Sequence, residues 1–327
     1  MNAIPNAIET ALPRLPAGWH LVTLDVLADG NLSLIAADVD LAHEWRRDSN
    51  WQMLGDPWEA AARATGQIWC FDGETLVAGP AFPLETPFPR IDRFDDGRWL
   101  VVGSRTDGSP NARVLGPDGT CIARFMLGDG IEHVGVDGRG EIWVGWFDEG
   151  VFGNDGWHVP NEEWPPSSRG IGRFSAAGDY RPPSLFPEKA GMIADCYALN
   201  VAGDSVWACP YTDFPLLHLK QEGTVRWWSS EVAGAKALAV SNGHALLAGG
   251  YGERANQLVK VALDGSGDGE AARILETGRL PLMRYQPDPG DPPHIAEYHP
   301  WQRPTLLAGR GDTIHLVEAG TWYRWRL

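Results

Sequence analysis

Several signatures of membrane proteins and common enzymes are missing from this sequence of 327 residues. It has no run of 18 apolar residues, so no segment is long enough to cross a bilayer as a helix. It also has no GxSxG, no P-loop and no HExxH, which removes the usual motifs of serine hydrolases, phosphate-binding loops and zinc peptidases. The 4 cysteines lack metal-ligand spacing such as CxxC, and we interpret them as small buried apolar residues.

Positive charge is scarce as well. The chain has 27 Lys and Arg against 43 Asp and Glu, which gives a formal net charge of -16. Phosphate-rich surfaces attract clustered Lys and Arg, and no such cluster occurs, so we expect neither nucleic acid nor membrane as a partner. A small-molecule ligand or a basic protein surface fits the acidity better. The first residues carry no basic, apolar leader, and we therefore expect a cytoplasmic protein.

What the sequence does contain is a repeat. A short apolar phrase, mostly ending in Gly, returns at 34–36, 101–103, 143–145, 207–209, 247–249 and 307–309. A turn-like element precedes each copy, and a strand followed by a Gly-containing turn comes after it. A unit of about 40 residues, sometimes lengthened by an insertion, is typical of β-propeller blades. The pattern predicts an all-β fold, a six-bladed β-propeller with four-stranded antiparallel blades, in which each phrase is the second strand of its blade.

The layout along the chain follows from this pattern. We expect an N-terminal extension at 1–18 and one propeller domain at 19–327, with blades at 19–85, 88–128, 131–188, 194–231, 234–279 and 291–327. The last blade would end on its outermost strand at 322–326, so no strand exchange is obvious at the seam; the alternative is that residues 1–18 lie across it. The segment 56–64 has a helix start signal and an Ala-rich body, and is predicted to be a helix.

Insertions at about 43–66, 157–169 and 284–300 follow second strands or precede a blade. Loops in these two positions lie at the same end of a propeller, which we call the top. Insertions that converge on a rigid scaffold usually carry function. We therefore expect these three segments to enclose a cleft floored by blades three and four. The tryptophans of the insertions would either pack in the blades or form walls of a ligand pocket; they are Trp51, Trp58, Trp157 and Trp164.

Polar residues at the starts of first strands and the ends of second strands are the candidates for chemistry there. The predicted catalytic residues are Glu132, His133 and Asp148. The predicted substrate-binding residues are Glu149, Tyr197, Tyr211, Lys236, Tyr251 and Arg254. The predicted metal ligands are Asp195 and Asp213, with His294, Glu297 and His299 as a weaker set.

Two kinds of chemistry suit such a ring of carboxylates with histidine. Its oxygen atoms would hold a divalent cation such as Ca, Mg or Zn, or crowded carboxylates would supply an acid and a base. In the second case His133 is the expected proton-transfer residue, because an ordinary imidazole titrates near neutral pH. Glu132 would then point to the other side of the strand.

The turn followed by Ile-Trp-Val-Gly resembles the blade pattern of six-bladed propellers of the NHL and gluconolactonase types over nearly the whole chain. The blocks at 128–133, 147–154 and 195–201 are also similar to bacterial propeller proteins that imply no activity. The gluconolactonase resemblance implies a divalent metal at the mouth, with Glu132, Asp195 and Asp213 as its ligands. Two functions stay open: a hydrolase or lyase acting on a small molecule, and a non-catalytic scaffold whose acidic top binds a basic partner.

Overall fold

The computed structural model describes residues 4–44, 55–183, 186–220, 224–284 and 305–327. Strands dominate these ranges, and they form six separate sheets that are the blades of a β-propeller. The predicted fold class is thus confirmed. Among the described residues, no helix has the length and apolar character needed to span a membrane. By contacts the chain divides into two compact units, which we call the N-terminal unit (Leu12–Pro182) and the C-terminal unit (Met1–Ala11 with Pro183–Leu327).

The N-terminal unit holds the first three blades. Blade one comprises β2 (His20–Val26), β3 (Leu32–Ala37), β4 (Thr65–Phe71) and β5 (Leu76–Pro83), and blade two comprises β6 (Pro89–Arg93), β7 (Trp99–Gly103), β8 (Ala112–Leu115) and β9 (Cys121–Phe125). Blade three has β10 (Ile131–Val136), β11 (Ile142–Trp146) and β12 (Ile171–Phe174), with a single bridge between Phe174 and Tyr180 in place of a fourth strand. The first strands pack side by side, β2 against β6 and β6 against β10.

Short helices occupy the insertions of this unit. They are α1 (Leu41–Glu44), α2 (Pro57–Arg63), α3 (Asp148–Gly153) and a 3-10 turn at Pro166–Arg169. The predicted helix at 56–64 is confirmed as α2. Asp56 caps it by accepting hydrogen bonds from the backbone N–H groups of Trp58 and Glu59, and a proline begins its first turn.

The turn between β10 and β11 shows why the sequence phrase repeats. The Asp137 carboxylate accepts the backbone N–H groups of Arg139 and Glu141, and its second oxygen accepts the indole N–H of Trp143 at 2.9 Å. Gly140 adopts a φ of 78°, a conformation that a residue with a Cβ rarely takes. One aspartate therefore fixes both the turn and the large buried side chain that follows it.

The C-terminal unit holds the other three blades. Blade four comprises β13 (Asp195–Ala202), β14 (Ser205–Tyr211), β15 (Leu216–Lys220) and β16 (Val225–Ser229). Blade five comprises β17 (Ala237–Ser241), β18 (His244–Ala248), β19 (Gln257–Ala262) and β21 (Arg273–Arg279), and it lends the short parallel strand β20 (Asp268–Ala271) to the edge of blade four. Blade six comprises β22 (Leu306–Arg310), β23 (Thr313–Glu318), β24 (Thr321–Arg326) and the N-terminal strand β1 (Ile8–Ala11).

Blade six corrects the sequence prediction. The phrase at 307–309 lies in the first strand and not in the second, and 322–326 lies in the third strand and not in the outermost one. The outermost strand is β1, which pairs antiparallel with β24, so a segment of residues 1–18 lies across the seam and completes the blade by strand exchange. The misleading residue is Gly309, where a Cβ would lie 1.7 Å from the Leu238 carbonyl oxygen. Glycine is required there by the close approach of β22 to β17, and not by the position in a second strand.

Each blade buries its apolar faces against its neighbours within the unit. In the N-terminal unit the fully buried tryptophans Trp143 and Trp146 are the largest members of the core of blade three. Leu238, Leu247 and Val261 form part of the corresponding core in the C-terminal unit. This packing fixes the strand ends, and therefore the side chains that the ends carry.

Candidate functional site

A cleft of about 380 Å³ lies where the first strands of blades one, two and three begin. We call it the inner cleft. It is lined by Val22, Thr23, Pro87, Phe88, Pro89, Arg90, Ser104, Arg105, Ile131, Glu132 and Phe147. Its volume is within the range of small-molecule sites, and its wall combines apolar rings with a few charged groups.

Two of these residues reach the inner cleft through irregularities in their strands. In β10, Ile131 pairs with Trp146 and His133 with Gly145, so Glu132 is an extra residue with no partner position on β11. In β2, Leu21 pairs with Ala36 and Thr23 with Ile35, which makes Val22 the extra residue. A bulge of this kind redirects a side chain and is frequent beside active sites. It also breaks the strict alternation from which Glu132 and His133 were expected to point to opposite sides.

Charges in and beside the inner cleft are held in pairs. A carboxylate oxygen of Glu132 lies 3.8 Å from a guanidinium nitrogen of Arg90. Arg105 contacts Asp129 at 3.0 Å and Glu149 at 2.6 Å, and its guanidinium lies 5.5 Å from the centre of the Phe147 ring. Arg105 is therefore fixed on several sides. Burial has the largest single effect on its pKa and lowers it, but hydrogen bonding to Glu149 and the charge of Asp129 together outweigh burial, so the pKa of Arg105 is raised.

Asp129, which contacts Arg105, is itself held in place by Asn154. The Asn154 side chain accepts the backbone N–H of Asp129 at 2.8 Å and donates to the Asp129 and Gly150 carbonyl oxygens. Gly130 approaches Gly150 so closely that a Cβ on Gly130 would lie 2.3 Å from the Gly150 nitrogen. The turn before β10 and the start of α3 are thereby locked together beside the inner cleft.

The predicted catalytic residues are distributed as follows. Glu132 lines the inner cleft. His133 is half-buried in β10 opposite Gly145 and is not among the lining residues of this cleft in the described structure. Asp148 and Glu149 begin α3, where acidic residues suit a helix start; Asp148 accepts the backbone N–H of Glu149, and Glu149 binds Arg105.

A second cleft, of about 760 Å³, lies beside the first and was not anticipated from the sequence. We call it the outer cleft. Phe88 and Arg105 line both clefts, and Trp58 of α2 contacts Phe88 edge to face at a ring distance of 5.9 Å. Trp58 comes from the predicted insertion at 43–66 and lines this cleft. Burial lowers the pKa of Arg113. Its guanidinium nevertheless has hydrogen-bond partners, because it donates to the carbonyl oxygens of Pro83 and Leu84.

The floor of the outer cleft contains a strained residue. Glu85 has a φ of 66°, and its carboxylate accepts two hydrogen bonds from Arg124 at 2.7 and 3.0 Å. These bonds hold the pKa of Glu85 below its usual value. Nothing in the local sequence signals this conformation, because it depends on arginines that lie in β8 and β9.

Four of the predicted substrate-binding residues converge in the C-terminal unit. The Tyr197 ring stacks with Tyr211 at 5.8 Å, the Tyr251 hydroxyl donates to the Tyr197 hydroxyl at 2.9 Å, and the Lys236 ammonium lies 3.3 Å from the centre of the Tyr197 ring. Phe214 packs against all three tyrosines, with ring distances between 5.5 and 6.0 Å. We call these five residues the tyrosine cluster. Arg254, by contrast, lines a separate cavity of about 230 Å³ with Asn256, Gln257 and Arg279.

The two aspartates predicted as metal ligands both lie in blade four. Asp195 lies opposite Tyr211 in the β13–β14 ladder, and Asp213 lies in the exposed turn after β14. Across the described ranges, no group of three or more His, Cys, Asp or Glu side chains is arranged to hold a metal ion. The role of Asp195 and Asp213 as metal ligands stays a prediction. The positions His294, Glu297 and His299, and most of the predicted insertion at 284–300, lie outside the described residues.

Comparisons with known proteins agree on the fold. The YxzG family model matches residues 183–263, about a quarter of the chain, and no curated protein matches. Virginiamycin B lyase from Staphylococcus aureus is similar with a TM-score of 0.50 at 12% identity, covering 98% of this chain and 99% of the lyase. The Cps50 (Swd1) β-propeller domain of Myceliophteria thermophila also has a TM-score of 0.50, at 9% identity, covering 98% of this chain and 100% of the domain.

A gluconolactonase from Xanthomonas campestris is similar with a TM-score of 0.44 at 10% identity, covering 99% of this chain and 98% of that one. Identities this low show a shared fold alone. The neighbours with a TM-score of 0.50 include both a lyase and the Cps50 (Swd1) domain, so the choice among functions depends on the residues of this chain.

Proposed function

We propose that this protein acts on a small molecule as a hydrolase or lyase, with the inner cleft as its reaction site and Glu132 as the group that moves the proton. The observation that carries the proposal is the bulge in β10, which adds Glu132 to the strand at the cleft wall, beside Arg90. A half-exposed carboxylate on a rigid strand, in a cleft of substrate size, has the placement that a general base requires.

Glu132 would take one proton in either reaction. In a lyase it removes the proton from the carbon next to a carbonyl; the electron pair left behind forms a carbon–carbon double bond as the leaving group departs from the neighbouring carbon. In a hydrolase it takes the proton from water, whose oxygen attacks an ester or lactone carbonyl; when the carbon–oxygen bond to the leaving group breaks, Glu132 returns the proton to the leaving oxygen. Both routes place negative charge on the carbonyl oxygen, which guanidinium donors stabilise when they are held in place beforehand.

Arg105 has that preorganisation. Asp129 and Glu149 fix its guanidinium from two sides, and the residue lines the inner cleft. Arg90 would hold Glu132 as a carboxylate and orient it. The role of His133 as the proton-transfer residue, with Asp148 orienting its ring, stays a prediction, and we rank Glu132 above it because Glu132 lines the cleft.

The test is turnover of simple model substrates. A panel of lactones and aryl esters reports hydrolysis through acid release, and β-acyloxy carbonyl compounds report elimination through the absorbance of the conjugated product. For any compound turned over, Glu132→Gln should lower kcat by about 10²-fold or more, whereas Glu74→Gln, a matched change in an exposed turn, should leave it unchanged. Full activity of the Glu132→Gln protein would show that the proton is moved elsewhere.

One observation supports the alternative function of a protein-binding scaffold, namely two exposed aromatic side chains on blade three. Phe152 on α3 is 58% exposed and Trp164 in the following insertion is 66% exposed, and α3 packs against the 3-10 turn that ends this insertion. Large exposed aromatic side chains are typical of binding surfaces. If blade three binds a basic partner through them, Phe152→Ser with Trp164→Ser should abolish that binding and leave any turnover of the panel unchanged.

A further inference from the structure

The cavity of about 230 Å³ that Arg254 lines lies in blade five, where the start of β19 meets the end of β21. We call it the arginine pocket. Its wall includes Glu253, Arg254, Asn256, Thr277 and Arg279. The volume is below the range of about 300–1,000 Å³ that is usual for drug-sized ligands, so the pocket suits one small group.

Two donors of this wall have no acceptor within the described part of the chain. The guanidinium of Arg254 makes no hydrogen bond or ion pair there. Asn256 is only 3% exposed, and its side-chain oxygen accepts a hydrogen bond from Arg279 at 3.0 Å. Because arginine can only donate, the atom that faces it must be this oxygen, and the amide N–H groups of Asn256 are left for an acceptor in the pocket.

The surrounding chain holds these donors in place. The Asn256 carbonyl oxygen accepts the backbone N–H of Leu280 at 2.7 Å, which ties the loop before β19 to the end of β21. A Cβ on Gly250 would lie 2.6 Å from the Arg254 carbonyl oxygen, so this loop is closely packed and needs glycine there. Donors that are fixed beforehand lose little freedom when a ligand binds.

Positive charge exceeds negative charge in the described wall. Glu253 is acidic, but Arg284 donates a hydrogen bond to its carboxylate at 2.8 Å. This bond, followed by the charges of Arg284 and Arg279, holds the pKa of Glu253 below its usual value. Glu253 therefore has a cation of its own, and the charge of Arg254 is left for a ligand. On a chain with a net charge of -16, the pocket is a local exception that favours anions.

We propose that the arginine pocket binds a phosphate group, either as inorganic phosphate or as the monoester of a small molecule. A guanidinium presents its N–H groups as a planar fork that matches a pair of phosphate oxygens. The loop supplies Arg254 and Asn256, and β21 supplies Arg279 and the Thr277 hydroxyl. Donors from two segments suit the tetrahedral oxygens of phosphate better than a planar carboxylate, and two guanidiniums match its double charge. The inference concerns the C-terminal unit alone and does not depend on the proposed function of the inner cleft.

The first probe is inorganic phosphate at about pH 8, where a phosphate group carries two negative charges. Ionic strength is kept constant with NaCl, and binding is followed by titration calorimetry and by the phosphorus NMR linewidth. The protein should bind phosphate, and Arg254→Gln should weaken this binding at least about tenfold, because charge-assisted hydrogen bonds are lost. Arg226→Gln is the matched control, since it removes the same charge from an exposed position in β16 of the same unit, and it should leave the affinity unchanged.

Glycerol 2-phosphate separates the two sources of the ligand. Binding as tight as that of inorganic phosphate, or tighter, identifies a monoester as the ligand, whereas binding of inorganic phosphate alone identifies the free ion; either result supports the inference. Acetate should bind at least about tenfold more weakly than phosphate, because it brings one charge instead of two.

Three results would overturn the inference. The first is that neither phosphate compound binds. The second is that Arg254→Gln and Arg226→Gln weaken binding equally, since the position of the cation would then not matter. The third is that acetate binds as tightly as phosphate, which would assign the pocket to carboxylates. Arg254 is exposed, so its replacement should leave the fold intact, and an unchanged thermal midpoint without phosphate checks this.

Discussion

Stability in mild acid offers a direct test of the packing of blade six. His315 is buried in β23, its ring stacks on Trp322 at a distance of 5.7 Å, and its Nδ1 accepts the Trp322 indole N–H at 3.2 Å. The ring proton must therefore be on Nε2, which has no hydrogen-bond partner among the residues that the structure describes. Burial, and then the charges of Arg324 and Arg310, lower the pKa of His315 to about 3.

The sign and size of the effect follow from linkage. The ordinary histidine pKa is 6.5, so between pH 6.5 and 3 the unfolded chain binds more protons at this site than the folded chain does. The free energy of unfolding must then fall as the pH falls through this window, and it is unaffected at higher pH. Relative to pH 8, the two pKa values give a loss of about 2 kcal/mol at pH 5 and about 3 kcal/mol at pH 4.

The measurement is urea unfolding, followed by tryptophan fluorescence, at pH 8 and pH 5. In His315→Asn the amide oxygen can still accept the Trp322 N–H, but position 315 no longer titrates. This variant should be less stable at pH 8 by about 1–3 kcal/mol, because ring packing is lost, and should then lose about 2 kcal/mol less than the unchanged protein on going to pH 5.

Other groups cancel in this comparison. Burial lowers the pKa of His218 to about 4, but His218 and the carboxylates are the same in both proteins. Equal losses of stability in the two proteins would show that His315 is accessible to protons in the folded state. The description of its environment would then be wrong.

Three further predictions address the fold and the thiols. Gly309→Ala should cost about 3 kcal/mol or more, because its Cβ would meet the Leu238 carbonyl oxygen, whereas Gly153→Ala, with open space around it in the described structure, should be neutral in the same urea assay. Deleting residues 4–11 removes β1 and leaves β24 as an open edge; the thermal midpoint should fall by about 5 °C or more, and light scattering should show self-association. Native protein should react quickly with a disulfide reagent at the exposed Cys121. Cys209 should react only on unfolding, because burial raises the pKa of its thiol to about 12. Fast labelling of two or more further thiols in the native protein would contradict this.

Five of the six second strands could be predicted because their phrases follow local hairpin turns: Asp-Gly or Asn-Gly in four of them and Ala202-Gly203-Asp204 in the fifth. Asp137 illustrates this, since it satisfies its own turn and the tryptophan of the next strand. The sixth prediction failed because Gly309 is required by contact with another blade and not by a local turn. In the sequence, a glycine that a turn requires looks the same as a glycine that a close contact requires.

The tyrosine cluster was within reach of the sequence, because its residues lie at the starts of first strands or the ends of second strands, and those positions meet in any blade. The outer cleft could not be predicted from the sequence. It forms where α2 packs beside Phe88 and where Glu85, in a left-handed conformation, accepts hydrogen bonds from Arg124. Neither event is encoded in a local pattern. Both depend on residues that are distant along the chain.

The same irregularity, a bulge near the start of a first strand, occurs at the inner cleft and at the tyrosine cluster. β2, β10 and β13 each shift register near their first residues, whereas β6 and β17 pair without interruption. The extra residues at the inner cleft are Val22 and Glu132, and the bulge of β13 contains Cys196 and Tyr197, of which Tyr197 belongs to the tyrosine cluster. A bulge gives up ladder hydrogen bonds, so its presence at the same position in three blades is difficult to explain by blade stability alone. It is explained if the first strands of these blades have to present side chains at their ends, which is what a binding or catalytic site needs.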